Sequence, residues 1–509
     1  MSRKNGGIIG PANTPVGGFL AGVASGVWRT NDLLNFVGNS QWPKAPENID
    51  NSCLFDGSGY AQKSISTAGS GTTATFSAWV KASAEPDKAI FTSYIDSNNF
   101  VEIYFTSGQF RVYHYDSGGT SNDVKTNAYY RDQSAWYHFH VIFDTTNGTE
   151  ADRIQMYVNG TRVTSFATSN YPTSSQDLEL SSSSATFNLG ARNGDEQWKG
   201  YMAEVVFIDG QALTPSSFGE TNTATGIWTP KKIGQIASAG TNSFYLNFKD
   251  SSNLGKDESG LSNNFTVSGL ASTDQMTDTC VENFATLNAL NVPTSNQPTF
   301  SDGNLTSITN NSTGSYKWGG CSTIGVTSGK WYCEAKATVD STYSRNVIGI
   351  TGNATELART NASILNATHS WGYYSSNGTV QGNGSGDISG YNTSYTTGDI
   401  IGVAMDLDNN KLYFSKNGTF LNSGDPTSGS TGTGAISIVA ASTTTDGAYF
   451  FAQTDDTGTS SPSKFEFNFG SPTYSISSGN SDANGHGNFE YAVPSGYYAL
   501  NTSNLNTYG

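Results

Sequence analysis

Cysteine is scarce in this chain: Cys53, Cys280, Cys321 and Cys333 are the only four among 509 residues. No CxxC or His–Cys cluster accompanies them, so neither a zinc scaffold nor a disulfide framework is expected. The four thiols are expected to be free and buried, with Cys321 and Cys333 the pair that neighbouring strands could bring together. Charge is sparse too, at 13% of residues, and positive charge is sparser: 26 Lys and Arg against 42 Asp and Glu leave a net −16. An acidic surface repels phosphate backbones and anionic lipid, which disfavours nucleic acid as a partner and docking on membranes by charge. No apolar run approaches the ~20 residues of a membrane span, so no membrane insertion is expected. The opening MSRKNGGIIGPANTP has basic residues but no apolar core, so no signal peptide is expected.

Catalytic signatures are missing as well. A glycoside hydrolase needs two carboxylates facing the scissile bond, which on a strand means acids two or four residues apart, as in ExDxE. No ExDxE occurs; Asp195 and Glu196 are adjacent and would point to opposite faces of a strand, and Glu334 is the one acid in WYCEAK. There is no GxSxG, and no glycine pattern of a P-loop or dinucleotide fold follows a strand. His138 and His140 share a strand face, but no third ligand is visible, so packing is the expected role. The chain is expected not to be an enzyme.

What is abundant is Gly (57 residues), with visible Ser, Thr and Asn, while aromatics stay at 12%. Small polar residues with aromatics suit twisted antiparallel sheets joined by many turns, so the fold class is all-β. The period is two from Cys53 to about Glu220: in WYHFHVIFD, Tyr137, Phe139, Val141 and Phe143 share one face. Asn159-Gly160 and Asn417-Gly418 sit between such runs and predict tight hairpins. Residues 1–48 do not read as a domain. Their apolar residues, among them Trp28, Leu33, Phe36 and Trp42, predict an extended arm that docks on a neighbouring protein, with packing on its own chain as the competing reading.

The ordered set LFDGSGY, ATFSAWVK, WYHFHVIFD, IQMYVNGTRV and FNLGARNGDEQWKGYMAEVVFIDGQAL resembles the laminin-G/concanavalin-A-like jelly roll. The stretch GDIIGVAMDLDNNKLYFSKNGTF, with GKWYCEAKATV, HSWGYYSSNG and FEFNFG around it, resembles the SPRY β-sandwich. The domains implied are an arm (1–48), a concanavalin-like sandwich (49–222), a connector with short strands (223–307) and a SPRY-like sandwich with a C-terminal tail (308–509). Both sandwiches are expected to be antiparallel. In the connector, Asp250, Asp257 and Glu258 are oxygen ligands of the kind Ca²⁺ takes; they lack the EF-hand order, and a solvated acidic loop is the competing reading. No other cofactor is expected.

The segments GVWRTNDLLNFVGNSQWP, YLNFKDSSNLGKDESGLSNNF, DQMTDTCVENFATLN and PSGYYALNTSNL resemble virion structural proteins of tailed phages, notably marine ones, with Cys280-Val281-Glu282 where that pattern has Pro-x-Asn. The resemblance implies a non-enzymatic structural protein on the exterior of the particle, forming homo-oligomers, bound to other virion proteins through the arm and contacting host-surface glycan. Capsid decoration is the alternative, and a polysaccharide hydrolase the third reading. Saccharides are held by aromatic faces with a few Asp, Asn and amide hydrogen bonds. The loop 192–198 therefore offers Asn193, Asp195 and Trp198 as ligand-binding residues, and the segment 369–374 offers Trp371, Tyr373 and Tyr374; that segment also fits a core strand, and burial is the competing reading for Trp371 and Trp198.

Overall fold

The computed structural model describes residues 49–509 except 118–120, 223–225, 232, 234–238, 311–316, 339–344 and 457–461. Trp28, Leu33, Phe36 and Trp42 lie outside the described residues. The regular structure of the described residues is nearly all β, with two seven-residue α-helices, Ala354–Thr360 and Thr502–Tyr508, and a few short 3₁₀ helices.

Thirteen strands carry the first sandwich: β1 (Ser52–Asp56), β2 (Tyr60–Ser64), β3 (Thr73–Ala82), β4 (Ala89–Asp96), β5 (Asn99–Thr106), β6 (Gln109–Asp116), β7 (Asn122–Tyr129), β8 (Tyr137–Asp144), β9 (Ile154–Val158), β10 (Thr161–Arg162), β11 (Phe166–Asn170), β12 (Thr186–Leu189) and β13 (Lys199–Asp209). One antiparallel sheet runs β10-β9-β8-β3-β13-β1, and the other runs β11-β7-β6-β5-β4-β12-β2. The alternation in β5 and β6 is what builds the core. Val101, Ile103 and Phe105 with Phe110 and Val112 turn inward, where Phe76, Phe91, Phe187, Phe207 and Phe244 form a connected set of rings with centroids 4.9–6.1 Å apart. Asn159 and Gly160 both have positive φ (49° and 73°), as the tight hairpin between β9 and β10 requires.

The segment read as a connector carries short strands that join the sheets on either side. Phe244–Leu246 pairs with β13, Thr266–Ser268 with β2 and Gln275–Met276 with β1. Thr299–Ser301 and Thr306–Ile308 extend the larger sheet of the second sandwich through Lys464–Asn468. That sheet continues through Lys330–Thr338, Ile400–Asp406 and Lys411–Lys416; the facing sheet holds Lys317–Cys321, Phe450–Asp455, Asn346–Thr351 and Ser370–Tyr374. Cys321 and Cys333 therefore stand on opposite sheets, not neighbouring strands, and all four thiols are unpaired.

Both faces of β8 are covered. Residues 213–222 and 226–231 lie over the side that carries His138 and His140, placing Phe218 beside His140 (ring centroids 5.4 Å apart) and Trp228 beside His138 (5.9 Å). Trp228 Nε1 donates to His138 Nδ1 at 3.1 Å, so that nitrogen accepts and Nε2 carries the proton that Ser77 Oγ receives at 2.8 Å. His140 Nε2 likewise reaches Leu213 O at 3.0 Å. The pair is packing, and burial holds the His140 imidazole down at about 4.

The two sandwiches meet at one buried ion pair. Lys81 Nζ on β3 lies 2.7 Å from Asp278 Oδ2, with side chains only 1% and 2% exposed. Its remaining donors go to Asn283 Oδ1 (2.7 Å) and Phe284 O (3.2 Å). Asp278 Oδ1 accepts from Trp136 Nε1 at 2.9 Å, while the Asp278 amide donates to Ser471 Oγ of the second sandwich at 3.1 Å. One apolar cluster encloses this node: Trp79, Trp136 and Tyr201 from the first sandwich, Met276 and Leu287 from the linking segment, and Phe467 and Phe469 from the second.

Two outcomes follow. Lys81→Met leaves a buried carboxylate without its cation and is expected to cost about 3–5 kcal/mol in equilibrium denaturation, with Lys81→Met/Asp278→Leu recovering part of the loss. His140 is neutral in the fold but protonates near 6.5 when unfolded. The unfolded chain then binds more protons as pH falls below 6.5, so His140 alone should remove about 2 kcal/mol of stability between about pH 7 and about pH 5. Urea melts across that range should show a shallower decline for His140→Gln; equal slopes would refute this account.

Candidate saccharide-binding cleft

The outward face of β4, β5 and β6 is as ordered as the inward one. In QFRVYHYD, Phe110, Val112 and His114 point into the sandwich, which leaves Arg111, Tyr113 and Tyr115 on the other side. In-register pairing sets Tyr94 opposite Phe100 and Phe100 opposite Tyr115. Their rings form a patch with Phe100–Tyr113 and Phe100–Tyr115 centroids 6.0 and 5.9 Å apart and Tyr113–Tyr115 stacked at 6.2 Å.

The turn between β12 and β13 overhangs this patch. Arg192 and Asp195 exchange backbone hydrogen bonds (2.7 and 2.9 Å) around Asn193 and Gly194, with φ of 50° and 86°. That is the two-residue turn for which Asn-Gly is the favoured pair. Together, Tyr94, Ser97, Phe100, Tyr113, Tyr115, Arg192, Asn193 and Asp195 line a cleft of about 340 Å³. Among the described residues, neither the Asn193 nor the Asp195 side chain is engaged in a hydrogen bond. Arg192 stacks its guanidinium over Phe100, 5.2 Å from the ring centroid. It reaches Glu102 Oε2 at 3.4 Å and Glu196 Oε1 at 3.7 Å, and Glu196 in turn pairs with Lys88 at 2.7 Å.

Glu102 sits beneath the cleft on β5, on the strand face that carries Phe100, and is 2% exposed. Its Oε1 has no hydrogen-bond partner among the described residues. Burial pushes the carboxyl up to about 7, against the pull of Arg192. Further along the face, Arg111 is bidentate to Asp123 (2.7 and 2.8 Å) between the rings of Tyr104 and Tyr113.

Of the residues expected to bind ligand, Asn193 and Asp195 line the cleft; four others lie in the core. Trp198 is 1% exposed and packs on Phe105 at 5.5 Å, because the chain turns inward to start β13. Trp371, Tyr373 and Tyr374 belong to a strand paired on both edges with both faces buried. Trp371 packs on Tyr449 (5.9 Å) and Tyr373 on Tyr395 (4.9 Å). Tyr94, Phe100, Tyr113, Tyr115 and Arg192 also line the cleft and were not among the residues expected there. The alternation of QFRVYHYD could have indicated Tyr113 and Tyr115, since their row stands opposite an apolar row that is already complete.

Asp250, Asp257 and Glu258 do not converge. Asp250 accepts from Ser252 Oγ at 2.6 Å, and Glu258 pairs with Lys256 at 2.8 Å. Asp257 turns inward and accepts from the Tyr245, Ser259 and Asn263 amides and from Ser259 Oγ, at 2.7–2.9 Å. A cation there would have to displace these partners, and no group of three or more metal-ligating side chains occurs among the described residues. Glu334 accepts from the Glu490 and Tyr491 amides (2.9 and 2.8 Å) and so fastens the C-terminal tail.

Residues 55–217 match the family described as the concanavalin A-like lectin/glucanases superfamily, and residues 330–425 match the SPRY domain. The chain carries one domain of each kind. Similar solved structures include the SPRY domain of human HERC1, 17% identical over 32% of this chain and 87% of that one, with a TM-score of 0.24. Domain 4 of AbnA, a GH43 extracellular arabinanase from Geobacillus stearothermophilus solved with arabinotriose, is 21% identical over 34% of this chain and 76% of its own, at 0.27. A heptameric SAP-like pentraxin from Limulus polyphemus is 15% identical over 44% and 97%, at 0.28. No curated protein matches the chain.

The core position of Trp198 has a measurable consequence. Trp198→Ala should lower stability by about 3–5 kcal/mol, as expected of a buried aromatic truncation. A Trp198→Ala protein that melts like the parent in guanidinium would place the ring outside the core.

Proposed function

We propose that the concanavalin-like sandwich binds saccharide in the cleft under the 192–195 turn, and that the protein acts as a non-enzymatic adhesin on the outside of a phage particle. The observation that carries the binding reading is the pairing of an aromatic floor (Phe100, Tyr113, Tyr115) with unengaged polar side chains at its rim, Asn193 and Asp195. Sugar rings present an apolar face and an edge of hydroxyls, and this arrangement meets both. The superfamily of residues 55–217, which includes lectins, supports the same reading. It also includes glucanases; the absence of ExDxE and the engagement of Glu334 by the tail favour binding over hydrolysis. The virion setting rests on the phage-like segments around Trp28, Asp250, Phe284 and Tyr497. Many copies on one particle would turn weak individual contacts into firm attachment, by about 10²–10⁴.

A glycan array probed with the full-length protein tests the binding step. Tyr115→Ala and Asp195→Ala should each abolish the array signal while shifting stability by no more than about 0.5 kcal/mol, because both residues lie at the surface of the cleft. Retained signal in both variants would remove the cleft from consideration. For the virion role, the parent protein should block phage adsorption to host cells in proportion to dose, and Asp195→Ala should not.

A further inference from the structure

We propose that ligand binding in the cleft is proton-linked through Glu102: its ionised carboxylate holds Arg192 in the cleft wall, and its protonation lets Arg192 go. The inference rests on the saccharide reading of the same cleft and adds its regulation. Arg192 is the hinge of the argument. Its guanidinium is both a lining group of the cleft and the cation nearest Glu102, at 3.4 Å. The other charged groups facing Glu102 are Glu196 beyond the turn, Arg111 on β6 and Lys88 ahead of β4. Arg111 is committed to Asp123 and Lys88 to Glu196, so neither replaces Arg192. From the adjoining strands, Tyr113 on β6 and Thr92 on β4 stand in register with Glu102, and the Thr92 hydroxyl donates to Ala191 O at 3.2 Å. His114 lies on the opposite side of β6, where it meets Asn122 at 3.0 Å.

The ground under the cleft is short of donors. Glu102 Oε1 accepts no hydrogen bond, and neither does the buried Asn188 Oδ1, which follows Thr92 in the same cross-strand row. An ionised carboxylate there depends on one long contact to Arg192. A proton on Glu102 removes that dependence and supplies a donor, which is why burial brings the group to about 7, within reach of ordinary changes in pH. Once Glu102 is neutral, the remaining anion for Arg192 is Glu196, 38% exposed and already shared with Lys88. The guanidinium then leaves its place over Phe100, and the cleft loses one wall. Binding is accordingly tighter above the Glu102 midpoint than below it, and ligand in turn favours the ionised form.

The test is the glycan array repeated with full-length protein at about pH 8 and about pH 6, on either side of that midpoint. Titration of the best-binding saccharide should give an affinity about five- to tenfold higher at the upper pH, within the usual range of linked sites. Glu102→Gln keeps the size of the side chain and removes its charge, so its affinity should not depend on pH. Arg192→Gln, at the surface, is the second variant and should be weak and equally flat. Equal parental affinities at the two pH values, or pH dependence retained in Glu102→Gln or Arg192→Gln, would overturn the proton linkage and leave the cleft reading standing. No saccharide bound at either pH would overturn both.

Discussion

The architecture depends on a lysine taken out of water. Lys81 leaves the end of β3 in the first sandwich and finds Asp278, Asn283 and Phe284 O in the segment that leads to the second. A buried ammonium is tolerable only when every donor is used, and here the three acceptors come from a stretch that has no sheet of its own to fix it. The ion pair therefore sets where that stretch runs. With it in place, Trp136 reaches Asp278, Tyr201 OH reaches Gly303 O at 2.9 Å, and Asn283 donates to Ser134 O at 2.7 Å. A single apolar cluster then closes over the junction from both sandwiches.

This junction uses the outer face of one sheet of the first sandwich; the outer face of the other is left for the cleft. The division matters because a β-sandwich has two outer faces and each must be solvated, covered or used. Residues 213–222 and 226–231, with the second sandwich, cover the first face, including His138 and His140. On the second face, aromatic rings, Arg192 and the Asn193-Gly194 turn come together in the open. The acid Glu102 is buried directly below them, so the same sheet that opens this cleft also holds a carboxyl that burial pushes up.

Much of the fold was legible in the sequence because it depends on local physics. Period-two alternation marked β8 and β9, and Asn159-Gly160 and Asn417-Gly418 marked hairpins by needing positive φ, which both have. Asp195 and Glu196 were read as neighbours on a strand; they lie instead at the end of a turn, where Asp195 lines the cleft and Glu196 meets Lys88 and Arg192. Trp198, Trp371, Tyr373 and Tyr374 sit in motifs that fit a ligand-binding loop and a core strand alike, and pairing on neighbouring strands decides which side of each residue is covered. That information lies well beyond the local stretch, as with Tyr374 opposite Val347 and Phe105 against Trp198.

By itself the sequence determined the all-β class, the turns and the inward-facing half of each strand, since these follow from side-chain alternation and backbone preference within about ten residues. It also settled the acidic surface and the scarcity of thiols. Only the tertiary structure decided what the outward halves do. Whether a strand's second face is covered by a returning segment, locked against another sandwich or left open as a cleft depends on long-range packing, which no local pattern encodes. Tyr113 and His138 both stand on outward faces; the first lines a cleft and the second lies under Trp228 because different stretches of chain return to cover them.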